Sequence, residues 1–174
     1  MKERLAAQDP VERAARSLRI ADRLFADEAF QRARTVCFYA SLPAEADTSG
    51  MIDRALSDGK RVLVPRADLP GRRLDWFRIR DRAKDLEPGT MGIPEPVGAL
   101  VRRARPGEAE CVLVPGLGFD RRNNRLGRGA GFYDRFLAGL GPGAMKIGIG
   151  FSFQVVDALP VEDHDVRLDA VLTD

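Results

Sequence analysis

The chain has 174 residues, 44% of them hydrophobic and 31% charged, with a net charge of +2 and two cysteines. That length buries a core without covalent staples, and the composition is that of a soluble globular protein, not of a disordered or fibrous one. No apolar run approaches the roughly 20 residues that span a bilayer, and the polar start MKERLAAQDP lacks a signal-peptide core; a cytoplasmic protein with no membrane partner is expected.

The positive charge is almost all arginine, with lysine only at Lys2, Lys60, Lys84 and Lys146. Scattered arginine reflects base composition as readily as function, so the pI near 8.7 argues little for nucleic acid as a partner. It does leave guanidinium groups for an anionic substrate. Cys37 and Cys111 fall inside apolar, strand-like runs and are expected as small hydrophobes, not as a disulfide or a metal pair.

From the N-terminus, Val11 to Phe25 repeats apolar residues at helical spacing, with Asp9 as N-cap and Pro10 in the first turn. Thr35 to Tyr39 predicts a strand, and the loop Ser41 to Thr48 follows it. A second helix over about Ser49 to Asp58 closes at Gly59 and leads into the strand Arg61 to Pro65. Leu74 to Ile79 predicts another strand, antiparallel and toward an edge, behind a turn at Leu69-Pro-Gly71. The prolines of Gly89 to Pro96 forbid helix and predict an extended, rigid loop.

Cys111 to Pro115 is a bare apolar run, too short for a helix, and predicts a buried strand. Behind it come Arg125-Leu-Gly-Arg-Gly-Ala-Gly131 and a run of helical spacing from Phe132 to Leu137. A strand at Lys146 to Phe151, a short helix or turn near Val155 to Leu159 and the segment His164 to Asp174 close the chain. Strands alternating with helices give the fold class: α/β, with three layers, a mainly parallel sheet and helices on both faces, residues 1–174 forming a single domain. Ligands in such sheets collect beyond the carboxyl ends of the strands, which groups the loops at 41–48, 116–134 and 151–154 along one edge.

Strand, glycine loop, helix is the order that phosphate sites use. Gly127, Gly129 and Gly131 have no Cβ, so successive backbone N–H groups can turn toward a phosphate. The next helix adds its N-terminal donors, and Arg125 and Arg128 can neutralise the charge with paired hydrogen bonds. The spacing matches neither the dinucleotide fingerprint nor the P-loop, and a glycine-rich turn with solvated arginines is the alternative. Asp134 can bridge to phosphate through Mg²⁺, or sit as an ordinary first-turn acid on the helix dipole. Asp165 and Asp169 offer a second carboxylate, although most such acids are solvated.

Glu45 and Asp47 can accept hydrogen bonds from an amine-rich substrate or serve the helix that follows, with Thr48 as its cap. His164, the only histidine, stands between Asp163 and Asp165 as a general base or a surface residue. Trp76, Phe77 and Tyr133 fit core packing or stacking on a flat ring. There is no G-x-S-x-G elbow and no His/Cys metal spacing. What remains is electrostatics directed at phosphate, which favours phosphoryl chemistry.

The run Pro115-Gly-Leu-Gly-Phe-Asp120, with Asn124-Arg-Leu-Gly-Arg-Gly-Ala-Gly-Phe-Tyr-Asp134, closely resembles the signature of the 5-formyltetrahydrofolate cyclo-ligase family. Three further stretches agree in order and spacing: Tyr39 to Thr48, Gly92-Ile-Pro-Glu-Pro96, and Gly148 to Gln154 with His164-Asp-Val-Arg-Leu-Asp169. The resemblance spans nearly the whole chain. It implies a fold similar to the sugar-phosphate isomerase and CoA-transferase group. It also implies ATP- and Mg²⁺-dependent closure of 5-formyltetrahydrofolate to 5,10-methenyltetrahydrofolate, with release of ADP and phosphate through a phosphorylated formyl intermediate.

By position, the resemblance places ATP on Arg125, Leu126, Gly127, Arg128, Gly129, Ala130, Gly131, Phe132 and Tyr133. It places the reduced folate on Leu42, Glu45, Asp47, Arg128, Gly129, Ala130, Gly131 and Phe132, and Mg²⁺ on Asp134 and Asp165. Arg125, Arg128 and Tyr133 take the catalytic roles, and a monomer is expected. Two departures stand out. Members usually carry an N-terminal Lys-x-x-Leu-Arg element that contacts ATP, and Lys2 and Arg4 fall later than it, so the chain is expected to start after those first turns. Phe132 stands where a tyrosine is common, which removes one hydroxyl. The alternatives are a cyclo-ligase-like protein without this activity or with another substrate, and an arginine-rich nucleic-acid binder.

Overall fold

Alternation of apolar side chains decides how this chain wraps around one sheet. A computed structural model describes residues 1–89, 92–97 and 102–174. Helices α1 (Lys2–Ala6), α2 (Pro10–Ala26) and α3 (Glu28–Arg32) lead to strand β1 (Thr35–Cys37); α4 (Ser49–Ser57) leads to β2 (Arg61–Asp68) and β3 (Arg73–Ile79). A short helix, α5 (Arg82–Asp85), and the paired strands β4 (Leu86–Pro88) and β5 (Pro94–Pro96) precede β6 (Arg102–Ala104). Then come β7 (Cys111–Pro115), β8 (Gly118–Asp120), β9 (Arg125–Leu126), α6 (Phe132–Ala138), β10 (Met145–Ile149), β11 (Val155–Val156) and β12 (Ala170–Leu172).

Seven strands form the main sheet in the order β12-β10-β7-β1-β2-β3-β6. The first five run parallel, while β3 is antiparallel to β2, as its sequence predicted, and β6 is antiparallel to β3. Because side chains alternate along a strand, Val36, Val62, Val64, Cys111 and Leu113 fill one core with Ile20, Leu24 and Phe30 from α2 and α3 and with Met51 and Ile52 from α4. Cys37, Leu63, Val112 and Val114 face the other way, against Phe136, Leu137 and Leu168. Both faces are covered, but unequally: three helices on one side, α6 and the segment around Leu168 on the other. The two thiols lie in opposite cores and are free, and burial pushes Cys111 up to about 12.

The caps follow from the sequence. Asp9 Oδ1 accepts from the Val11 and Glu12 N–H groups at 3.0 and 2.9 Å and starts α2. Gly59, at φ +78°, ends α4: its N–H reaches Leu56 O and the Lys60 N–H reaches Ala55 O, both at 3.0 Å. Lys60 Nζ then donates to the carbonyls of Phe30, Gln31 and Ala33 at 2.7 to 3.0 Å and closes the end of α3.

Three segments depart from expectation. The stretch behind β7 is not one loop, because β8, β9 and β11 form a small sheet in the order β11-β8-β9. Where a short helix or turn is expected near Val155 to Leu159, a 3₁₀ turn, Ser152–Gln154, runs into β11. The proline run is partly a strand, with Pro94 and Pro96 at the two ends of the β4–β5 pairing; proline is tolerated on such edge strands. Thr90 and Met91 of that run lie outside the described residues.

The chain leaves β1 toward β2 on one side and later adds β7, β10 and β12 on the other. The loops behind β1 and β7 therefore diverge, opening a crevice at the carboxyl ends of adjacent strands, where open α/β sheets bind ligands.

Candidate active site

The loop behind β1 is fastened from beneath. The Tyr39 hydroxyl donates to Ala46 O at 3.1 Å and the Thr48 hydroxyl to Tyr39 O at 2.6 Å. Arg13 of α2 donates to Glu45 O at 3.2 Å, and the Asp47 N–H to the Ser17 hydroxyl oxygen at 3.0 Å. Within the loop, the Leu42 N–H donates to Glu45 Oε2 at 3.0 Å, which fixes one carboxylate oxygen and leaves the other facing the β7 side. The capping side chain differs from expectation: Asp47, not Thr48, accepts the Ser49 N–H at 2.9 Å, while the Thr48 hydroxyl is spent on Tyr39. Partial burial opposes the Asp47 charge, but the Ser49 N–H and hydroxyl and the Ser41 hydroxyl outweigh it and hold the carboxyl below its usual range.

The loop behind β7 is braced by two buried polar side chains that sequence reasoning had not singled out. Gln154 Nε2 donates to Gly116 O at 2.7 Å and Leu117 O at 3.2 Å, while its Oε1 accepts the Phe151 N–H at 2.7 Å. Asp120 accepts from the N–H groups of Arg122, Asn124 and Leu159 and from the Asn124 side-chain amide, at 2.9 to 3.1 Å. Burial works against that carboxylate, yet these donors lower it to about 2. The spacing Asp120-x-x-x-Asn124 was the available signal, since aspartate readily bonds the backbone just ahead of it in turns.

Between these braces the glycine loop emerges from β9 and enters α6. Arg125 is turned inward: its guanidinium donates to Asp134 Oδ1 at 2.8 Å, and the two side chains are only 5% and 17% exposed. It also lies 5.7 Å from the centre of the Tyr133 ring. Arg128 is half exposed and reaches across the crevice to Glu45 Oε1 at 3.0 Å. Of the three alternating glycines, Gly127 is covered by the Arg125 guanidinium and Gly131 by that of Arg135, which donates to Ala130 O at 2.7 Å. Gly129, at φ +90°, has nothing within 4 Å of where a Cβ would stand. Its backbone is thus open to a ligand and adopts a conformation that L side chains rarely take.

Glu45 joins the Leu42 backbone to Arg128, and Arg125, Tyr133 and Asp134 form a second group. Burial first, and then the Glu45 charge, raise the Tyr133 hydroxyl well above its ordinary pKa, against a smaller opposing effect of Arg125. Phe132 lies beneath the Arg135 guanidinium, 5.6 Å from it, and Leu126 is exposed on β9. Asp165 stands apart in a turn of its own, with Oδ2 accepting the Glu162 N–H at 2.8 Å. Among the described residues no three His, Cys, Asp or Glu side chains gather as metal ligands. His164 is exposed, 3.5 Å from Glu162, and Trp76 and Phe77 are core.

Comparison with known proteins decides the family. Residues 1–174 match the 5-formyltetrahydrofolate cyclo-ligase family over their whole length. The chain belongs to that family. It is 38% identical over 149 residues to the 5-formyltetrahydrofolate cyclo-ligase of Mycolicibacterium smegmatis, covering 80% of this chain and 73% of the relative. It is 30% identical over 182 residues to the mouse (Mus musculus) enzyme of the same name, covering 99% and 89%. The NMR structure of Aquifex aeolicus 5,10-methenyltetrahydrofolate synthetase superposes with a TM-score of 0.85 at 28% identity, covering 98% of this chain and 84% of that one. The fold and the cyclo-ligase activity expected from the motifs are those of this family, and membership implies the use of ATP. No helix among the described residues is long and apolar enough to cross a membrane.

Proposed function

We propose that this cyclo-ligase binds ATP along Arg125 to Tyr133 and 5-formyltetrahydrofolate between that loop and Leu42, Glu45 and Asp47, and closes the folate to 5,10-methenyltetrahydrofolate with release of ADP and phosphate. The observation that carries this reading is the Arg128–Glu45 bridge across the crevice, which joins the loop suited to phosphate to the loop suited to an N–H-rich ring. The Arg128 end of the pair is half exposed, so solvent weakens the bridge at that end and incoming ligands can part it. Arg128 then turns to phosphate and Glu45 is released to accept N–H groups. The open face of Gly129 admits a phosphate to the backbone amides.

The formyl oxygen is a poor leaving group until it takes the γ-phosphoryl group of ATP. N10 then adds to the activated carbon and gives up its proton, and phosphate departs with that oxygen and takes up the proton. Arg128 and the loop amides stabilise charge on the transferring group. Tyr133, held neutral, donates a hydrogen bond and does not act as a base. Arg125 acts through Asp134, whose carboxylate it orients.

A magnesium ion suits this site, because Mg²⁺ typically takes one or two carboxylates and fills its remaining positions with phosphate oxygens and water. Asp134 would hold it through the oxygen not engaged by Arg125, while Asp165, in a turn of its own, stands apart from that carboxylate. When bound, the ion supplies neutralisation of phosphate charge.

The test is formation of methenyltetrahydrofolate, followed by its absorbance, from 5-formyltetrahydrofolate with ATP and Mg²⁺. Turnover that requires ATP is expected. Arg128→Ala is expected to raise the KM of both substrates about tenfold or more, in line with loss of a charge-assisted contact. Absence of turnover with all three components present would leave a cyclo-ligase-like protein with another substrate.

A further inference from the structure

A second hollow, of about 510 Å³, opens on the far flank of α6, against β3 and β6. Of its lining residues only Arg135 also touches the glycine loop, where it covers Gly131, and its volume lies within the range of small-molecule sites. Leu74, Trp76, Ala104 and Phe136 supply its apolar wall, with Trp76 packed 4.6 Å from Phe136 between ring centres. Four guanidinium groups stand around it, from Arg73, Arg103, Arg105 and Arg135, against one carboxylate, Asp75. Asp75 is already shared by Arg73 and Arg103, and Arg73 also pairs with Asp68 at 2.8 Å.

Arg105 and Arg135 are different. Arg135 spends two of its five donors on backbone carbonyls, Arg72 O and Ala130 O, both at 2.7 Å, so donors remain and its charge is not cancelled by a carboxylate there. The Arg105 side chain makes no ion pair among the described residues, because the nearby Glu108 carboxylate is held by Arg102. The indole N–H of Trp76, a residue only 2% exposed, is buried without an acceptor among the described residues. A buried donor left unpaired is costly, and uncompensated arginines beside an apolar wall favour a ligand that is anionic at one end and apolar at the other.

We propose that this hollow binds a compact amphipathic anion, its apolar body against Leu74, Ala104 and Phe136 and its phosphate or carboxylate group held by Arg105 and Arg135. The proposal stands apart from the folate and ATP assignments, since none of their residues lines the hollow. Arg135 nevertheless links the two regions through its bond to Ala130 O in the glycine loop.

Trp76 is the only tryptophan of the chain, so its emission reports this hollow without mutation. The intact protein would be titrated with phenyl phosphate, benzoate and neutral phenol under tryptophan-selective excitation. A saturable change with an anion and none with phenol is expected, with the stronger of the two anions telling phosphate from carboxylate. Arg105→Ala is expected to weaken that anion about tenfold while leaving folate turnover unchanged. No saturable response to either anion, equal response to phenol, or unchanged affinity in Arg105→Ala would overturn the proposal.

Discussion

Asp134 is held by a buried partner, and this changes what its mutation reports. Removing one member of a buried ion pair typically costs about 3–5 kcal/mol, because the other charge is left unpaired. Asp134→Ala is therefore expected to lower the unfolding midpoint as well as turnover, since Arg125 is almost fully enclosed. Asp134→Asn keeps an acceptor for that guanidinium and separates the two effects: near-normal thermal unfolding with strongly reduced ATP-dependent turnover is expected. Wild-type turnover in that variant, measured across a range of Mg²⁺, would remove the carboxylate from the metal site. The sequence displays the arginines, the glycines and this acid plainly. It does not show that Arg125 turns inward, because that pairing depends on how the glycine loop between β9 and α6 folds back to bring residues nine apart into contact.

Elements with strong periodicity or clear punctuation were legible: α2 begins at its Asp9 cap, and α4 ends one residue before the cap position ahead of Gly59. The two- and three-residue strands β8, β9 and β11 were not, since so few positions cannot display alternation, whereas β1, just as short, lies within the longer apolar run Thr35 to Tyr39. Thr48 holds the N-cap position of α4 as expected, but its side chain does not cap the helix. A threonine hydroxyl can serve its own helix or a carbonyl elsewhere, and only the folded chain shows that Tyr39 O claims it. At the other end of the helix, Gly59→Ala forces a side chain into φ +78°. A loss of about 1 kcal/mol is expected, measurable as a shift in denaturant midpoint with no change in the KM of either substrate.

Across the whole molecule, the strand order creates the crevice and two buried polar side chains, Asp120 and Gln154, hold one wall of it in place. The layered α/β plan was legible because alternating strands and helices leave few topologies. The unequal cover of the two faces was not, because the segment around Leu168 packs without regular structure. Asp120 ties acid stability to this wall. Its carboxyl is lowered to about 2, against an ordinary value of about 3.9, so its contribution is complete above about pH 4 and is lost as the pH falls through about 2. Unfolding followed from pH 5 downward should steepen over that window, and Asp120→Asn should flatten it while lowering stability at neutral pH by about 2 kcal/mol. An identical acid profile in that variant would assign the transition to other groups.

One of the two edge strands of the main sheet, β6, is three residues long and opens with Arg102 and Arg103, both exposed. Short, charged borders of this kind discourage another copy from extending the sheet. Replacing both arginines with threonine should consequently announce itself as clouding and rising light scatter in concentrated samples, with each individual molecule still catalytically sound.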